Sequence, residues 1–222
     1  LEALDTLATI PHTKAAIVSG RDIAGLRKVA PVTRDVTLVG SHGAEISDSD
    51  HELTKHQRDL LKRLIEEVTQ TADSIPGATI EEKKYAVVLH TRTAQDPHEA
   101  KKRTVELEER LSAVPGVTLT RGKKVSEFAV INTTKDAALA SLAARWPTGA
   151  DAILYLGDDV TDEHIFTGLP ARITTPQTEI ITVKVGEGDT AAQYRIANEL
   201  EAAAVLDYLC EQRNHYANAH FT

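Results

Sequence analysis

Acidic side chains are concentrated in one short segment, Gly157-Asp-Asp-Val-Thr-Asp-Glu163. The segment directly follows the apolar residues 153–156, so the acids stand where a buried strand is predicted to end. Carboxylate oxygens are the hard ligands that magnesium prefers, and so much negative charge in one place favours a bound cation. The segment therefore predicts a magnesium site. It fits an ordinary helix start equally well, because Thr161 or Asp162 could cap a helix whose first turn favours acids.

Two other polar turns also follow short apolar strands. Residues 15–18 lead into Ser19-Gly-Arg21, and residues 37–39 lead into Gly40-Ser-His-Gly43. Each turn thus stands at a strand end, as Asp158 does. Taken singly, Ser19 is also explained as a helix-capping serine, and His42 as a turn residue between two glycines.

Three apolar strands that end in polar turns are typical of a doubly wound α/β sheet, whose ligands bind beyond the carboxyl ends of the parallel strands. We therefore expect the three turns to lie along one edge. A helix over about residues 134–145 precedes the acidic segment, and residues 180–185 form a further strand. The glycine-containing segment 186–190 is either a loop of the site or a plain turn.

Residues 48–131 have a different pattern of apolar residues, which predicts helices and strands in the order αββαββ. The second helix of this region has a marked start, with Asp96 as N-cap, Pro97 at the first position and Glu99 three residues after the cap. We predict an α/β fold in which residues 1–47 and 132–222 form a Rossmann-like core with a parallel sheet. The α+β segment 48–131 is an inserted second domain.

Composition limits the partners of the 222-residue chain. The formal net charge of -8, without basic blocks, argues against a nucleic-acid surface. No apolar run is long enough to cross a membrane. The single cysteine, Cys210, fits a reducing compartment or a small buried apolar position. We expect a cytoplasmic monomer that acts on a small molecule.

The ordered set of motifs resembles the haloacid-dehalogenase-type phosphatases with an inserted cap domain. The set comprises Ser19-Gly-Arg21, Gly40-Ser-His-Gly43, the helix that begins at Lys135, and the acidic segment 157–163, which is the most specific of them. Within that superfamily the sequence is similar to the trehalose-6-phosphate phosphatases over essentially its whole length. The resemblance implies a Mg²⁺-dependent enzyme that hydrolyses trehalose 6-phosphate, the last step of trehalose biosynthesis.

The resemblance also implies roles at the phosphate. Ser19 would donate a hydrogen bond to a phosphoryl oxygen, and Lys135 would neutralise the charge that develops there. Asp158 would bind Mg²⁺ directly, and Asp162 would hold the water shell of the metal.

The cap of this family binds the sugar. An acid, a lysine two residues later and an arginine nine residues after that, beside a histidine, line its pocket, a spacing that Glu81, Lys83, His90 and Arg92 match. A Lys-x-x-x-Glu pair follows, matched by Lys123 and Glu127. Mixed donors and acceptors can recognise sugar hydroxyls; without the family spacing, the same residues read as a solvated charged turn and an exposed strand end. The residues assigned to substrate binding are Arg21, His42, Glu81, Lys83, Arg92, Lys123 and Glu127.

The family's first motif, Asp-x-Asp-x-Thr, supplies the aspartate that forms an aspartyl-phosphate and a second aspartate that acts as acid and base. None of the 222 residues spells Asp-x-Asp followed by Gly-Thr. The nearest spelling, Asp48-Ser-Asp50, has no apolar strand before it. We therefore expect the nucleophile upstream of Leu1.

Two positions depart from the family pattern. Lys135 is followed by Asp136 where glycine is common, and Phe128-Ala129 stands where Arg-Pro is usual. Lys123 or Lys124 could therefore take the lysine role in a shifted alignment, although Lys135 is preferred because it opens a core helix.

Three other functions remain open. The chain could be a phosphatase of the same fold for another sugar phosphate, or a noncatalytic sugar-phosphate-binding module without a nucleophile. It could also be the phosphatase domain of a fusion with a synthase.

Overall fold

Short apolar strands and helices alternate along the chain in the computed structural model, which describes residues 1–47, 52–145, 149–173 and 177–220. Asp48-Ser-Asp50, the segment most similar to the family's first motif, lies outside the described residues. The helices are α1 (Glu2–Thr9), α2 (Ile23–Val29), α3 (Lys55–Asp73), α4 (Pro97–Ser112), α5 (Lys135–Ala143), α6 (Glu163–Arg172) and α7 (Glu199–His220). The strands are β1 (Ala15–Val18), β2 (Val36–Gly40), β3 (Glu45–Ile46), β4 (Thr79–Glu82), β5 (Ala86–His90), β6 (Thr118–Gly122), β7 (Val125–Ala129), β8 (Ala152–Gly157), β9 (Glu179–Val185) and β10 (Tyr194–Ile196).

The chain divides into two compact units, Leu1–Asp50 with Thr133–Thr222, and His51–Asn132. In the first unit β1 pairs in parallel with β2, and β8 pairs in parallel with β9, which pairs in parallel with β10. The predicted parallel pairing and the α/β class are confirmed. The described strands of this unit form two three-stranded sheets, however, because β1 hydrogen-bonds only to β2 and β8 only to β9.

Apolar side chains on the strands and helices hold the first unit together. Leu38 and Val39 of β2 are almost completely buried, as are Ile165 and Leu169 of α6. Cys210 of α7 is buried in the cluster that α7 forms with α1, so it has the small apolar role. None of the helices in the described ranges is long and apolar enough to cross a membrane.

The second unit packs two helices on one face of a four-stranded antiparallel sheet, in the strand order β4-β5-β7-β6. Its core brings α3 and α4 onto Val87, Leu89 and Phe128, all of which are fully buried. Because side chains alternate across a strand, the intervening residues Val88 and Glu127 belong to the opposite face. The predicted order αββαββ is confirmed.

The start of α4 also forms as predicted. The Asp96 carboxylate accepts hydrogen bonds from the backbone N–H groups of His98 and Glu99, at 2.9 and 3.1 Å, and Pro97 occupies the first turn.

Candidate active site

The acidic segment forms a tight turn between β8 and α6. The Asp159 carboxylate accepts from the backbone N–H of Val160 at 2.6 Å, and the Asp162 carboxylate accepts from the N–H of Asp159 at 3.1 Å. A Cβ atom on Gly157 would lie 2.6 Å from the Asp162 Cβ, so glycine is needed for the turn to close against the strand end. Asp159 and Asp162 therefore act as caps, whereas Asp158 does not.

Lys135 binds this turn from the first position of α5. Its Nζ donates to Asp162 Oδ1 and to Thr161 Oγ1, each at 2.8 Å. Only 9% of Lys135 and 4% of Asp162 is exposed, so this is a buried ion pair. The other two lysines considered for this role, Lys123 and Lys124, are exposed in the β6–β7 turn of the second unit.

The hydrogen bonds at Asp162 keep it ionised. Burial raises the pKa of Asp162, but the hydrogen bonds from Lys135 and the Asp159 N–H, together with the charge of Lys135, outweigh it and hold the pKa below its usual range. The Tyr155 hydroxyl also donates to Asp162 Oδ1, at 2.9 Å. Burial, reinforced by the negative charge of Asp162, raises the pKa of Tyr155, so this hydroxyl remains a donor.

Asp158 is exposed, as Asp159 is, but it differs from the other acids of the turn because its carboxylate hydrogen-bonds to none of the described residues. The backbone carbonyl of Asp158 accepts from Lys184 Nζ at 2.6 Å. Within the described ranges, no group of three or more His, Cys, Asp or Glu side chains forms a ready-made metal cluster. Magnesium commonly takes only one or two carboxylates and completes its shell with water and substrate phosphate, so Asp158 fits as a direct ligand. Both Asp162 oxygens already accept hydrogen bonds, which fits an indirect role.

The other two polar turns are hydrogen-bonded to each other. The backbone N–H of His42 donates to the Ser19 carbonyl at 3.1 Å, and that of Ser41 donates to the Arg21 carbonyl at 2.7 Å. A Cβ on Gly20 would lie 2.6 Å from the His42 ring, so the imidazole packs directly on this glycine. Ser19 Oγ accepts from the Arg21 N–H at 3.1 Å, and the Arg21 side chain is exposed.

The second of these turns packs on the start of α5. Gly43 has φ +104°, and a Cβ there would lie 2.8 Å from the Thr134 carbonyl oxygen. Contacts therefore run from Ser19 to His42, then to the start of α5 at Lys135, and from Lys135 to the acidic turn. Strand ends of two different sheets thus form one polar site.

Four of the residues assigned to the sugar pocket lie in the second unit on or beside its strands: Glu81 on β4, Lys83 in the turn after it, His90 on β5 and Glu127 on β7. Lys83 Nζ donates to Glu127 Oε2 at 2.6 Å, and both side chains are largely buried. His90 Nε2 lies 3.1 Å from Glu81 Oε2. Glu81 and Glu127 both align with Val88, so they share the sheet face that the helices leave uncovered.

Arg92 and Lys123 lie at the other end of these strands. Arg92 follows the end of β5, whereas Lys83 precedes its start, and Lys123 occupies the turn between β6 and β7. The N–H of Thr91 donates to the Lys124 carbonyl at 3.0 Å, which brings the two segments together. Arg92 and Lys123 are exposed, and neither forms an ion pair with the part of the chain that the structure describes.

Sequence reasoning missed Tyr155, Glu163 and Lys184. Tyr155 lies among the apolar residues 153–156, and Glu163 is one of four acids in the turn, so neither stands out in the sequence. Lys184 carried the clearest signal, because it is a lysine inside the apolar strand β9. A buried charge in such a strand requires a partner.

Comparison with known proteins shows the family to which the chain belongs. The sequence profile of the trehalose-phosphatase family matches residues 1–199. The chain is 32% identical over 200 residues to trehalose-6-phosphate phosphatase of Escherichia coli, covering 89% of this chain and 71% of that protein. It is also 32% identical over 221 residues to the bifunctional trehalose-6-phosphate synthase/phosphatase of Thermoproteus tenax, covering 94% of this chain but 28% of that protein.

Solved structures show the same fold. The C-terminal domain of Candida albicans trehalose-6-phosphate phosphatase superimposes with a TM-score of 0.68 at 24% identity, covering 95% of this chain and 82% of that one. Aspergillus fumigatus trehalose-6-phosphate phosphatase gives a TM-score of 0.64 at 26% identity, covering 96% and 83%. The chain therefore belongs to the trehalose-phosphatase family, whose members are phosphoric monoester hydrolases.

Proposed function

We propose that this chain hydrolyses trehalose 6-phosphate to trehalose and phosphate with the help of Mg²⁺. The observation that carries the proposal is the buried Lys135–Asp162 ion pair, which lies in the same turn as the exposed carboxylate of Asp158, and that carboxylate has no ion-pair partner among the residues that the structure describes. Such an arrangement combines the fixed positive charge of Lys135 with a carboxylate that is available to bind a hard cation such as Mg²⁺. Both are suited to phosphoryl transfer, which depends mainly on positioning and on charge stabilisation.

Lys135 and Ser19 are proposed to bind the phosphoryl oxygens. An ammonium group has three protons, and Lys135 uses two of them on Thr161 and Asp162. The third proton is available for a phosphoryl oxygen. Ser19 Oγ accepts from the Arg21 N–H, which leaves its own hydroxyl proton free to donate. Arg21 and His42, on the two linked turns, are proposed to bind the substrate next to Ser19.

Asp158 is proposed as the direct ligand of the metal, with Asp162 acting through water. Bound magnesium supplies a positive charge that polarises the phosphoryl group. The contacts of Asp162 with Lys135 and Tyr155 keep its carboxylate anionic and fixed.

The attacking group is proposed to be an aspartate of the family's first motif. None of the 222 residues forms this motif. The aspartate oxygen would bond to phosphorus as the bond to the sugar oxygen breaks, and a second aspartate would protonate that oxygen. Water then breaks the aspartyl-phosphate and releases phosphate.

The second unit is proposed to act as the sugar-binding cap that the sequence predicts for residues 48–131. The Lys83–Glu127 and His90–Glu81 pairs offer donors and acceptors on one sheet face, as sugar hydroxyls require. The exposed Arg92 and Lys123 are proposed to add further contacts to the substrate.

Phosphate release by the complete natural protein tests the substrate. Trehalose 6-phosphate should be hydrolysed much faster than glucose 6-phosphate or sucrose phosphate, because only trehalose fits the whole set of cap contacts. Equal rates on all three would exclude a trehalose-specific enzyme.

The same assay with Asp158→Asn tests the metal site. The variant should stay folded and lose Mg²⁺-dependent turnover, and undiminished turnover would remove Asp158 from that role. Tight binding of trehalose 6-phosphate without any phosphate release by the natural protein would instead support the sugar-phosphate-binding module, the second candidate that the missing motif favours.

A further inference from the structure

Lys184 lies buried in β9, between Val183 and Val185, with only 5% of its surface exposed. Its Nζ donates to the backbone carbonyl of Asp158 at 2.6 Å and lies 3.8 Å from Glu163 Oε1. A buried ammonium is costly unless it is paired and hydrogen-bonded. Lys184 makes both of these contacts with residues of the acidic turn. They explain why a charged side chain is tolerated in an apolar strand.

Glu163 extends the connection to the loop after β9. Its Oε2 accepts from the N–H of Ala191 at 2.9 Å and from Thr190 Oγ1 at 3.2 Å. Its Oε1 is buried and accepts no hydrogen bond within the described ranges, and the Lys184 ammonium faces it. One carboxylate thus attaches the loop to the turn and balances the charge of Lys184.

The segment 186–191 forms a loop whose conformation is held by side-chain hydrogen bonds and by glycines. The Arg195 guanidinium donates to the carbonyls of Gly186 and Gly188, each at 2.5 Å. Both glycines have positive φ, +87° and +99°, in a region that other residues rarely adopt. Of the two interpretations open from the sequence, these contacts favour a loop that belongs to the site over a plain turn.

We propose that Lys184 is a positioning residue for the metal ligand Asp158. It holds the Asp158 backbone, and with Glu163 it fixes the loop 186–191 against the acidic turn. The turn is then held from two sides by buried lysines, Lys135 from α5 and Lys184 from β9. This inference rests on the proposed function only in taking Asp158 as the ligand, and groups behind a metal ligand commonly set its affinity.

Lys184→Met in the complete natural protein tests the proposal because it keeps the length of the side chain and removes its charge and donors. Mn²⁺, which electron paramagnetic resonance detects directly, is titrated without substrate. The half-saturating Mn²⁺ concentration should rise about tenfold. Backbone amides of residues 158–163 should also exchange hydrogen faster, because the turn loses its hold on β9.

Three further variants make the result specific. Lys184→Arg keeps a cation and donors and should restore most of the Mn²⁺ affinity. Thr190→Val removes the hydroxyl contacts with Glu163 and with the Ala192 N–H, both in or next to the loop 186–191, and leaves Lys184 in place. It should weaken Mn²⁺ binding slightly, and unchanged binding would contradict the role of the loop if Lys184→Met does not fold. Arg121→Met breaks the Arg121–Glu108 ion pair of the second unit and should leave Mn²⁺ binding unchanged.

Folded Lys184→Met that binds Mn²⁺ within twofold of the wild type would overturn the positioning role. Failure of the wild type itself to bind Mn²⁺ would overturn the metal assignment, and the role of Lys184 with it. The wild-type titration thus separates a failure of the proposed function from a failure of this inference.

Discussion

Three of the four acids of the turn each have their own partner, and the partner determines what that acid can do. Asp159 caps the turn, Asp162 binds Lys135, and Glu163 faces Lys184. Asp158 alone among the four leaves its carboxylate without a partner in the described residues. A segment of similar acids therefore contains three carboxylates with structural contacts and one that contacts none of the described residues through a hydrogen bond or an ion pair.

The ionisation of Asp162 should appear in the pH dependence of stability. Because the pKa of Asp162 is lowered in the folded chain, its contribution is present above the pKa of the unfolded chain and is lost as the pH falls through the lower folded value. At neutral pH, Asp162→Asn should lower the free energy of unfolding by about 3 kcal/mol, because it leaves Lys135 buried without its partner.

Urea unfolding between pH 7 and pH 3 measures this effect. The difference between wild type and Asp162→Asn should shrink on acidification, since the wild type loses the charge that the variant lacks. Asp35→Asn, at an exposed position, serves as control. A difference that stayed constant over this range would show that the Asp162 charge does not contribute.

Arg92 can be tested separately from the phosphate chemistry. Arg92→Ala should weaken turnover of trehalose 6-phosphate much more than that of p-nitrophenyl phosphate, because the smaller substrate has no sugar to contact. The comparison of kcat/KM for both substrates measures this. An equal loss on the two would indicate a damaged fold instead of a sugar contact.

At the scale of elements, glycines allow two turns to lie closer to a neighbouring strand or helix than a residue with a side chain would permit. Gly157 allows the Asp162 side chain to lie against the end of β8, and Gly43 allows its turn to meet the start of α5. The beginning of α5 then contacts both turns, at Gly43 through Thr134 and at Asp162 through Lys135. The site thus lies where helix starts contact strand ends. Loops of other lengths would not bring these segments together.

Gly157→Ala should displace the acidic turn, because the new methyl group would lie 2.6 Å from Asp162 Cβ. We expect the free energy of unfolding to fall by about 2 kcal/mol, the usual cost of overpacking. Denaturant unfolding and phosphate release measure the two consequences. Gly122→Ala is the matched control, because a Cβ there would lie 3.7 Å from its nearest neighbour, Val125. Equal stability of the two variants would contradict the close approach at Gly157.

At the scale of the molecule, each unit has its own apolar core. The second unit buries Leu64, Leu107, Leu111 and Phe128 almost completely between its two helices and its sheet. A core of this kind is sufficient for many domains of similar size to fold alone. The two units can therefore carry separate parts of the function without sharing a core.

The fragment His51–Asn132 should consequently fold by itself and unfold cooperatively in urea, as followed by circular dichroism. Phe128→Ala should lower its free energy of unfolding by about 4 kcal/mol, because a large side chain is removed from a closed core. Val105→Ala, at a position that is 42% exposed, should change it by less than about 0.5 kcal/mol. A fragment without a cooperative transition would contradict the independence of this core.

Much of this protein could be predicted from its sequence, because the decisive signals are local. Apolar strands followed by polar turns indicate the parallel α/β core, and Asp96-Pro97 marks the start of α4 through backbone capping alone. The acidic segment is likewise recognisable from spacing. The second unit follows from the change in pattern, since αββαββ can be read without any long-range contact.

Only the tertiary structure decided which side chains meet. Lys135 binds Asp162 across 27 positions of the chain, and Lys184 reaches the Asp158 carbonyl across 26. Spacing along one element cannot predict such contacts, because they depend on how separate strands and helices pack. For the same reason, the exposed Asp158 could be distinguished from the buried Asp162 only after folding had given each acid its neighbours.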